Sequence, residues 1–260
     1  LSKHHGLGND FLIAFVADVP HDAPALARQL CHRTEGIGAD GLIFLTPGSG
    51  HGDASMTLLN ADGSLAEISG NGLRCVGQAL ARRDGADAGD YLVDTVVGRR
   101  AVSVRSTDGP DSDVSAEMGS ITSIDEARAQ ALLVSLVDTR AVGAAAIGNP
   151  HLVARVDDPA AIDLAKVGRA VDACVDGGSN VEFIALAGPD AIDLTVWERG
   201  AGATRACGSG ACVAAWFAHE WGMVGEVVEV RMPGGSATVH LGSGVTLVGP
   251  VAFVADMETT

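Results

Sequence analysis

Lysine is almost missing from this chain of 260 residues, which has only Lys3 and Lys166. Cations are scarce altogether, 17 basic against 33 acidic residues, and the formal charge is −16. So acidic a surface argues against nucleic acid and anionic membranes as partners, but not against a small zwitterion. The sequence also lacks a run of eighteen apolar residues and a signal-peptide pattern at its start. The five cysteines are odd in number and form no CxxC pair, and no His/Cys cluster has zinc spacing. A disulfide scaffold and a structural metal are therefore not expected, and reduced thiols in the cytoplasm are. What is present is ordinary for a globular protein: 47% apolar and 19% charged residues, enough for one large domain or two small ones.

One stretch organises the rest, Glu198-Arg199-Gly200 followed by Ala206-Cys207-Gly208-Ser209-Gly210. Before it, Ile192 to Trp197 alternates apolar and polar residues as a strand does. After it, Ala211 to Ala218 is rich in helix formers. Cys207 thus falls where a Gly-rich loop becomes a helix N-terminus. Free backbone N–H groups there bind anions, and the position is expected to lower a thiol pKa.

Taken in order, residues 3–10 read as a Gly-punctuated loop feeding an apolar strand that runs to Val16. A helix over 24–33, strands over 42–45 and 54–59, a turn at 60–64, a helix from Leu73 to Arg83 and strands near 91–96 and 100–105 complete a first half. Asp108 to Asp111 reads as a linker. The second half is expected to open with a strand at Val114–Met118. It continues with helices near 123–134 and 161–172, strands at 142–147 and 181–186, a helix to about 221, and strands near 226–232, 236–241 and 245–248. The last strand-like piece, Pro250 to Asp256, suits either half. The expected domains are 1–112 and 113–249.

The halves repeat one another. Gly8-Asn9-Asp10 matches Gly148-Asn149-Pro150, Gly41 to Leu45 matches Val181 to Leu186, and Ser69-Gly70-Asn71-Gly72 matches Cys207-Gly208-Ser209-Gly210. Two helix N-termini related in this way suit one task. They can hold a carboxylate with a reactive group on each face of its α-carbon, as a racemase or epimerase requires. Pyridoxal phosphate would need a Schiff-base lysine. Lys3 lies in the N-terminal loop and Lys166 on a helix face, neither beside a phosphate-binding loop, so a reaction without cofactor is expected.

These motifs resemble the diaminopimelate epimerase family over essentially the whole chain. The resemblance rests on His5 to Phe11, Asn60-Ala61-Asp62-Gly63-Ser64, Gly70-Asn71-Gly72, Gly148-Asn149-Pro150-His151, Asn180-Val181-Glu182-Phe183, Glu198-Arg199-Gly200 and Ala206 to Gly210. It implies an α/β fold of two pseudo-symmetric domains, each a curved, mainly antiparallel sheet around a central helix, with the active site between them. It further implies that residues 250–260 return to the first domain. The implied reaction is epimerisation of LL-diaminopimelate to the meso form, without cofactor or metal, on the route to lysine. A homodimer is one open assembly. Carried over, Cys207 is one catalytic cysteine, and the backbone at Gly70, Asn71, Gly208 and Ser209 holds the reacting carboxylate. Asn9, Asn60, Asn149, Asn180, Glu198 and Arg199 bind the remaining amino and carboxylate groups. Asn60 and Asn71 also suit turn geometry alone, Glu198-Arg199 also suits a surface pair, and His151 reads as a loop-ordering residue.

The chain departs from the family at one position. Ser69 stands where the second catalytic cysteine is expected, and a serine hydroxyl is a far weaker acid than a thiol. Three explanations remain open: a variant that still epimerises, an introduced Cys-to-Ser change, or a related isomerase, racemase or dehydratase that needs one base. A small-molecule binding protein on the same scaffold would need the asparagines and the arginine but not Cys207.

Overall fold

A computed structural model describes residues 1–106 and 111–258. Residues 108–110 of the expected linker lie outside them. The chain forms two compact units, Leu1–Glu117 with Val248–Thr260, and Met118–Leu247.

In the first unit the chain runs β1 (Ser2–Gly6), β2 (Asn9–Phe15), α1 (Ala23–Cys31), β3 (Gly41–Pro47), β4 (Ala54–Asn60), α2 (Gly70–Arg83), β5 (Gly89–Thr95), β6 (Gly98–Ser106) and β7 (Asp111–Gly119). Sequential strands neighbour one another throughout, and the C-terminal strand, Val245–Asp256, pairs with β1 and neighbours β7. The sheet therefore wraps α2. That explains why α2 carries small residues on every side and is buried from Gly70 to Ala81. Its two buried polar side chains reach the C-terminal strand, Gln78 donating to the Val251 carbonyl at 3.0 Å and Arg74 to that of Pro250 at 3.3 Å.

The structure corrects the sequence reading at both ends of this unit. Residues 2–6 form a strand, not a loop, antiparallel to β2. The two-residue connection Leu7-Gly8 has φ of 56° and 83°, the left-handed pair that matches the twist of a tight hairpin. Residues 114–118 do not open the second half. They lie in β7, whose Val102↔Ala116 register with β6 makes a hairpin of the first unit. Strand β7 runs through the division expected at 112/113.

The second unit runs β8 (Thr122–Ser123), α3 (Ala127–Leu136), β9 (Ala141–Ala146), β10 (Pro150–Arg155), α4 (Leu164–Asp172), β11 (Asn180–Gly188), β12 (Ala191–Glu198), β13 (Gly202–Thr204), α5 (Gly208–Glu220), β14 (Val227–Met232) and β15 (Gly235–His240). The sheet order is β15-β14-β12-β11-β10-β9-β8, with β13 on β12. Helix α5 packs on strands β9 to β12, β14 and β15 and is the central helix of this unit. Helices α3 and α4 cover a second core on the other strand faces, with Leu133, Val167, Val171, Leu152 and Phe183.

The repeat is visible in the ladders. Strands β2 and β3 are parallel with Phe11↔Gly41, and β10 and β11 are parallel with His151↔Asn180. Gly41 to Leu45 therefore corresponds to Asn180 to Ile184, one position earlier than the sequence suggested. Phe11 corresponds to His151, and Ile43 to Glu182. No helix among the described residues is long and apolar enough to cross a membrane.

Candidate active site

Each central helix starts one residue after its reactive side chain. Ser69 is the N-cap of α2, and its hydroxyl accepts from the Gly72 N–H at 3.0 Å. Cys207 is the N-cap of α5, and its thiol accepts from the Gly210 N–H at 3.4 Å. Both side chains satisfy one of the free N–H groups of a helix start. The helices begin at Gly70 and Gly208, so each glycine and its follower, Asn71 or Ser209, supplies helix-start N–H groups.

In the first unit Asn71 and Asn9 are joined, the Asn71 amide donating to Asn9 Oδ1 at 3.1 Å. Arg74 donates to Asn71 Oδ1 at 2.5 Å and Asn9 donates to Asp40 Oδ2 at 2.8 Å. Asp40 also accepts from the Asp10 N–H at 3.0 Å, so it fixes both the start of β2 and the Asn9 amide. Asn60 sits apart from this chain of bonds. Its amide donates to Ser64 Oγ at 3.0 Å and its N–H to the Ser64 carbonyl at 2.9 Å, closing the turn at the end of β4.

In the second unit Asn149 Oδ1 lies 2.9 Å from His151 Nε2, and His151 Nδ1 lies 2.7 Å from Glu182 Oε1. Asn180 is bound twice, its amide donating to the Pro150 carbonyl and its Oδ1 accepting from the Arg199 N–H, both at 3.0 Å. Glu198 accepts from the Thr204 hydroxyl across the narrow β12–β13 hairpin. The Cys207 thiol lies 3.5 Å from Ser209 Oγ.

The electrostatics of Cys207 reverse the expectation drawn from its position. Its thiol is 3% exposed and titrates well above the usual range. Burial is the largest cause, followed by the negative charges of Glu198 and Glu182. The Ser209 hydroxyl and the Gly210 N–H act the other way and are outweighed. A helix N-terminus lowers a thiol pKa only where desolvation does not exceed it. Cys75, deep in α2, is pushed up to about 12 by burial alone and faces no partner that would activate it.

Sequence reasoning passed over Glu182 and read His151 as a loop residue. Both side chains are fully buried against each other. The signal was an acid inside the apolar run Val181-Glu182-Phe183-Ile184, because a carboxylate enters a buried strand only with a partner. Asp40, which holds Asn9, was missed as well. Among the described residues no cluster of His, Cys, Asp and Glu has the form of a metal site.

Known proteins share these features. A sequence model of the family described as diaminopimelate epimerase matches residues 1–124 and 143–252. The chain is 36% identical to a diaminopimelate epimerase of Synechocystis over 254 residues, covering 92% of this chain and 90% of the other. It is 35% identical to one of Desulfitobacterium hafniense, covering 97% and 95%. Among solved structures it is similar to a Pseudomonas aeruginosa protein described as a predicted epimerase, with a TM-score of 0.77 at 17% identity over 100% of this chain and 99% of the other. It is also similar to a probable proline racemase of Agrobacterium radiobacter with bound carbonate, with a TM-score of 0.71 at 18% identity over 100% and 92%. The two solved structures establish a shared fold.

Proposed function

The chain belongs to the diaminopimelate epimerase family, and on that footing we propose that Cys207 and Ser69 are the two acid/base positions of its reaction. The protein is an isomerase that interconverts LL- and meso-2,6-diaminopimelate on the route to lysine. The reaction removes a proton from one α-carbon and returns one to its opposite face. The thiolate of Cys207 exchanges the proton on one face, and Ser69, directly or through a water it holds, serves the other. The observation that carries this reading is the capped N-terminus of α5, where a buried thiol shares a helix start with the N–H groups of Gly208 and Ser209.

The remaining roles follow from charge. Backbone N–H groups at Gly70-Asn71 and Gly208-Ser209 hold the reacting carboxylate, which the helix dipoles favour. Arg199 takes the distal carboxylate in a bidentate grip and Glu198 pairs with the distal ammonium. The amides of Asn9, Asn60, Asn149 and Asn180 accept from and donate to what remains. Burying such a substrate without these partners would cost more than binding returns. Neither lysine serves as a Schiff base, and the reaction runs without cofactor in the cytoplasm.

Turnover in deuterated water, started separately from each isomer, tests the assignment. Inverted product should carry solvent deuterium, and Cys207→Ala should lose at least about a hundredfold in rate. Full activity in Cys207→Ala would remove the thiol from the mechanism. Exchange without inversion would show that the Ser69 side does not complete the reaction.

A further inference from the structure

The thiol of Cys207 presents a difficulty if it is the base. Burial and two nearby carboxylates hold it protonated, so it does not form a thiolate by losing its proton to water near neutral pH. A buried thiol of this kind needs an acceptor inside the protein. The second unit contains one acceptor in the right place.

Gly210 locates it. A Cβ built on Gly210 would lie 2.5 Å from Glu182 Oε1 and 3.2 Å from Cys207 Sγ. Carboxyl and thiol therefore flank the same glycine, and a side chain there would enter the space between them. Of the two oxygens of Glu182, Oε1 faces His151 Nδ1 at 2.7 Å. The other, Oε2, is closed to solvent and has no hydrogen-bond partner among the described residues. A buried carboxylate oxygen left in this state costs several times what a neutral acceptor does, and a proton on it removes that cost. On its far side His151 Nε2 meets Asn149 Oδ1 at 2.9 Å. An amide oxygen only accepts, so Nε2 carries hydrogen, and one further proton lies between Nδ1 and Oε1. The pair is neutral overall, an imidazolium beside a carboxylate in its ionic form.

The first unit lacks all of this. At the corresponding helix start a Cβ on Gly72 would meet Ile43 Cδ1 at 3.4 Å, and Phe11 stands where the second unit has His151. An apolar pair backs Ser69 and an ionisable pair backs Cys207. The asymmetry between serine and cysteine thus extends one layer further into each core.

Resting on the reading of Cys207 as an acid/base, we propose that Glu182 is a positioning residue of the Cys207 arm, whose carboxylate takes the thiol proton while His151 holds the balancing positive charge. The S–H bond breaks as the Oε2–H bond forms. Thiol, carboxylate and imidazolium become thiolate, carboxylic acid and imidazolium, with no change in total charge and no proton lost to solvent. Burial raises the proton affinity of Glu182 as well as that of the thiol, and proton transfer is efficient between groups of similar affinity. The charged and titratable groups facing the thiol are Glu198 and Glu182, and the one facing Glu182 is His151.

The ultraviolet absorbance of the thiolate, taken as the difference between the unmodified protein and Cys207→Ser, reads this directly. The internal transfer predicts a thiolate signal that stays level between about pH 6 and pH 8. In Glu182→Gln, which keeps the shape of the side chain but accepts no proton, the signal at the lower end should fall at least about tenfold. It should then climb about tenfold per pH unit. kcat/KM of Glu182→Gln should acquire the same slope, and Glu182→Asp should restore part of the level region. A tenfold climb per unit in the unmodified protein overturns the proposal without any need for the glutamine variant to fold. An unchanged profile in a folded Glu182→Gln overturns it too, while loss of activity in Cys207→Ser leaves the base assignment standing. Full activity in Cys207→Ser overturns both.

Discussion

Asn180 holds Arg199 by the main chain. Its Oδ1 accepts the Arg199 N–H at 3.0 Å while its amide donates to the Pro150 carbonyl at 3.0 Å, so one buried side chain ties the end of β12 to the start of β10. The guanidinium of Arg199 is then aimed by its backbone before it meets a substrate, which reduces the ordering needed on binding. Asn180→Ala should therefore act on substrate affinity. We expect kcat/KM to fall by at least about tenfold, about 1.4 kcal/mol, mostly through KM. Asn180→Asp keeps the acceptor and should lose less. Steady-state kinetics of the two variants, with thermal melts as a folding control, check this. Equal losses in both variants would show that the Arg199 bond is not what matters.

Ser69 has two duties that substitution separates. As a cap it satisfies the Gly72 N–H, and Ser69→Ala should destabilise the fold by about 1 kcal/mol, read as a Tm lower by about 2–4 °C. As a proton carrier it is poor, because a thiol of pKa about 8.5 is a far stronger acid than an alcohol. Ser69→Cys should raise kcat/KM by about tenfold or more while changing Tm little, since Cys207 shows that a thiol caps the same helix start. A rate unchanged or lowered in a folded Ser69→Cys would mean that this side is adapted to serine.

The parts of the fold that were legible were those written in short range. Gly-rich turns followed by Leu73 to Arg83 and by Ala211 to Ala218 announced α2 and α5, and the structure moved each start only back to the residue after its cap. The N-terminal hairpin was hidden because its turn places Leu7, a branched residue, at φ 56°, a conformation that composition does not signal. The share of the site inside each motif was legible too, down to Asn9, Asn149 and Arg199. The Glu182–His151 pair was not, because it exists only once parallel pairing sets β10 beside β11. The thiol pKa failed for the same reason. Position along the helix is local, whereas the burial that overrides it is made by strands distant in sequence.

Both lysines are occupied away from any cofactor chemistry. Lys3 Nζ donates to the Gly38 carbonyl at 2.6 Å and pairs with Asp10 at 2.9 Å. Lys166 lies exposed on α4, whose cap Asp163 accepts from its N–H at 3.1 Å. Borohydride reduction, which traps lysine Schiff bases, should leave the activity intact, and Lys166→Arg should match the unmodified protein. Inactivation by borohydride with a mass increment on either lysine would show that the reaction uses a carbonyl cofactor after all.

His4 supplies a prediction about stability that is independent of catalysis. Its ring is 1% exposed, with Nδ1 2.8 Å from Gln78 Oε1 and Nε2 3.0 Å from Ser2 Oγ. Both contacts suit the neutral ring, Nδ1–H donating and Nε2 accepting. Burial lowers its pKa from 6.5 to about 4. The Gln78 bond and the Asp256 charge oppose this, and the charge of Arg82 and His5 adds to it. The folded state therefore binds the proton less readily than the unfolded chain. The contribution of His4 is complete above pH 6.5, decreases as pH falls below it, and is gone once pH drops through about 4. The span corresponds to roughly 3 kcal/mol. His4→Gln does not titrate, so its unfolding free energy should fall less steeply over that interval than that of the unmodified protein. Urea unfolding of both proteins at several pH values from about 4 to 7 measures the difference. Parallel curves would mean that His4 already titrates near 6.5 in the folded state.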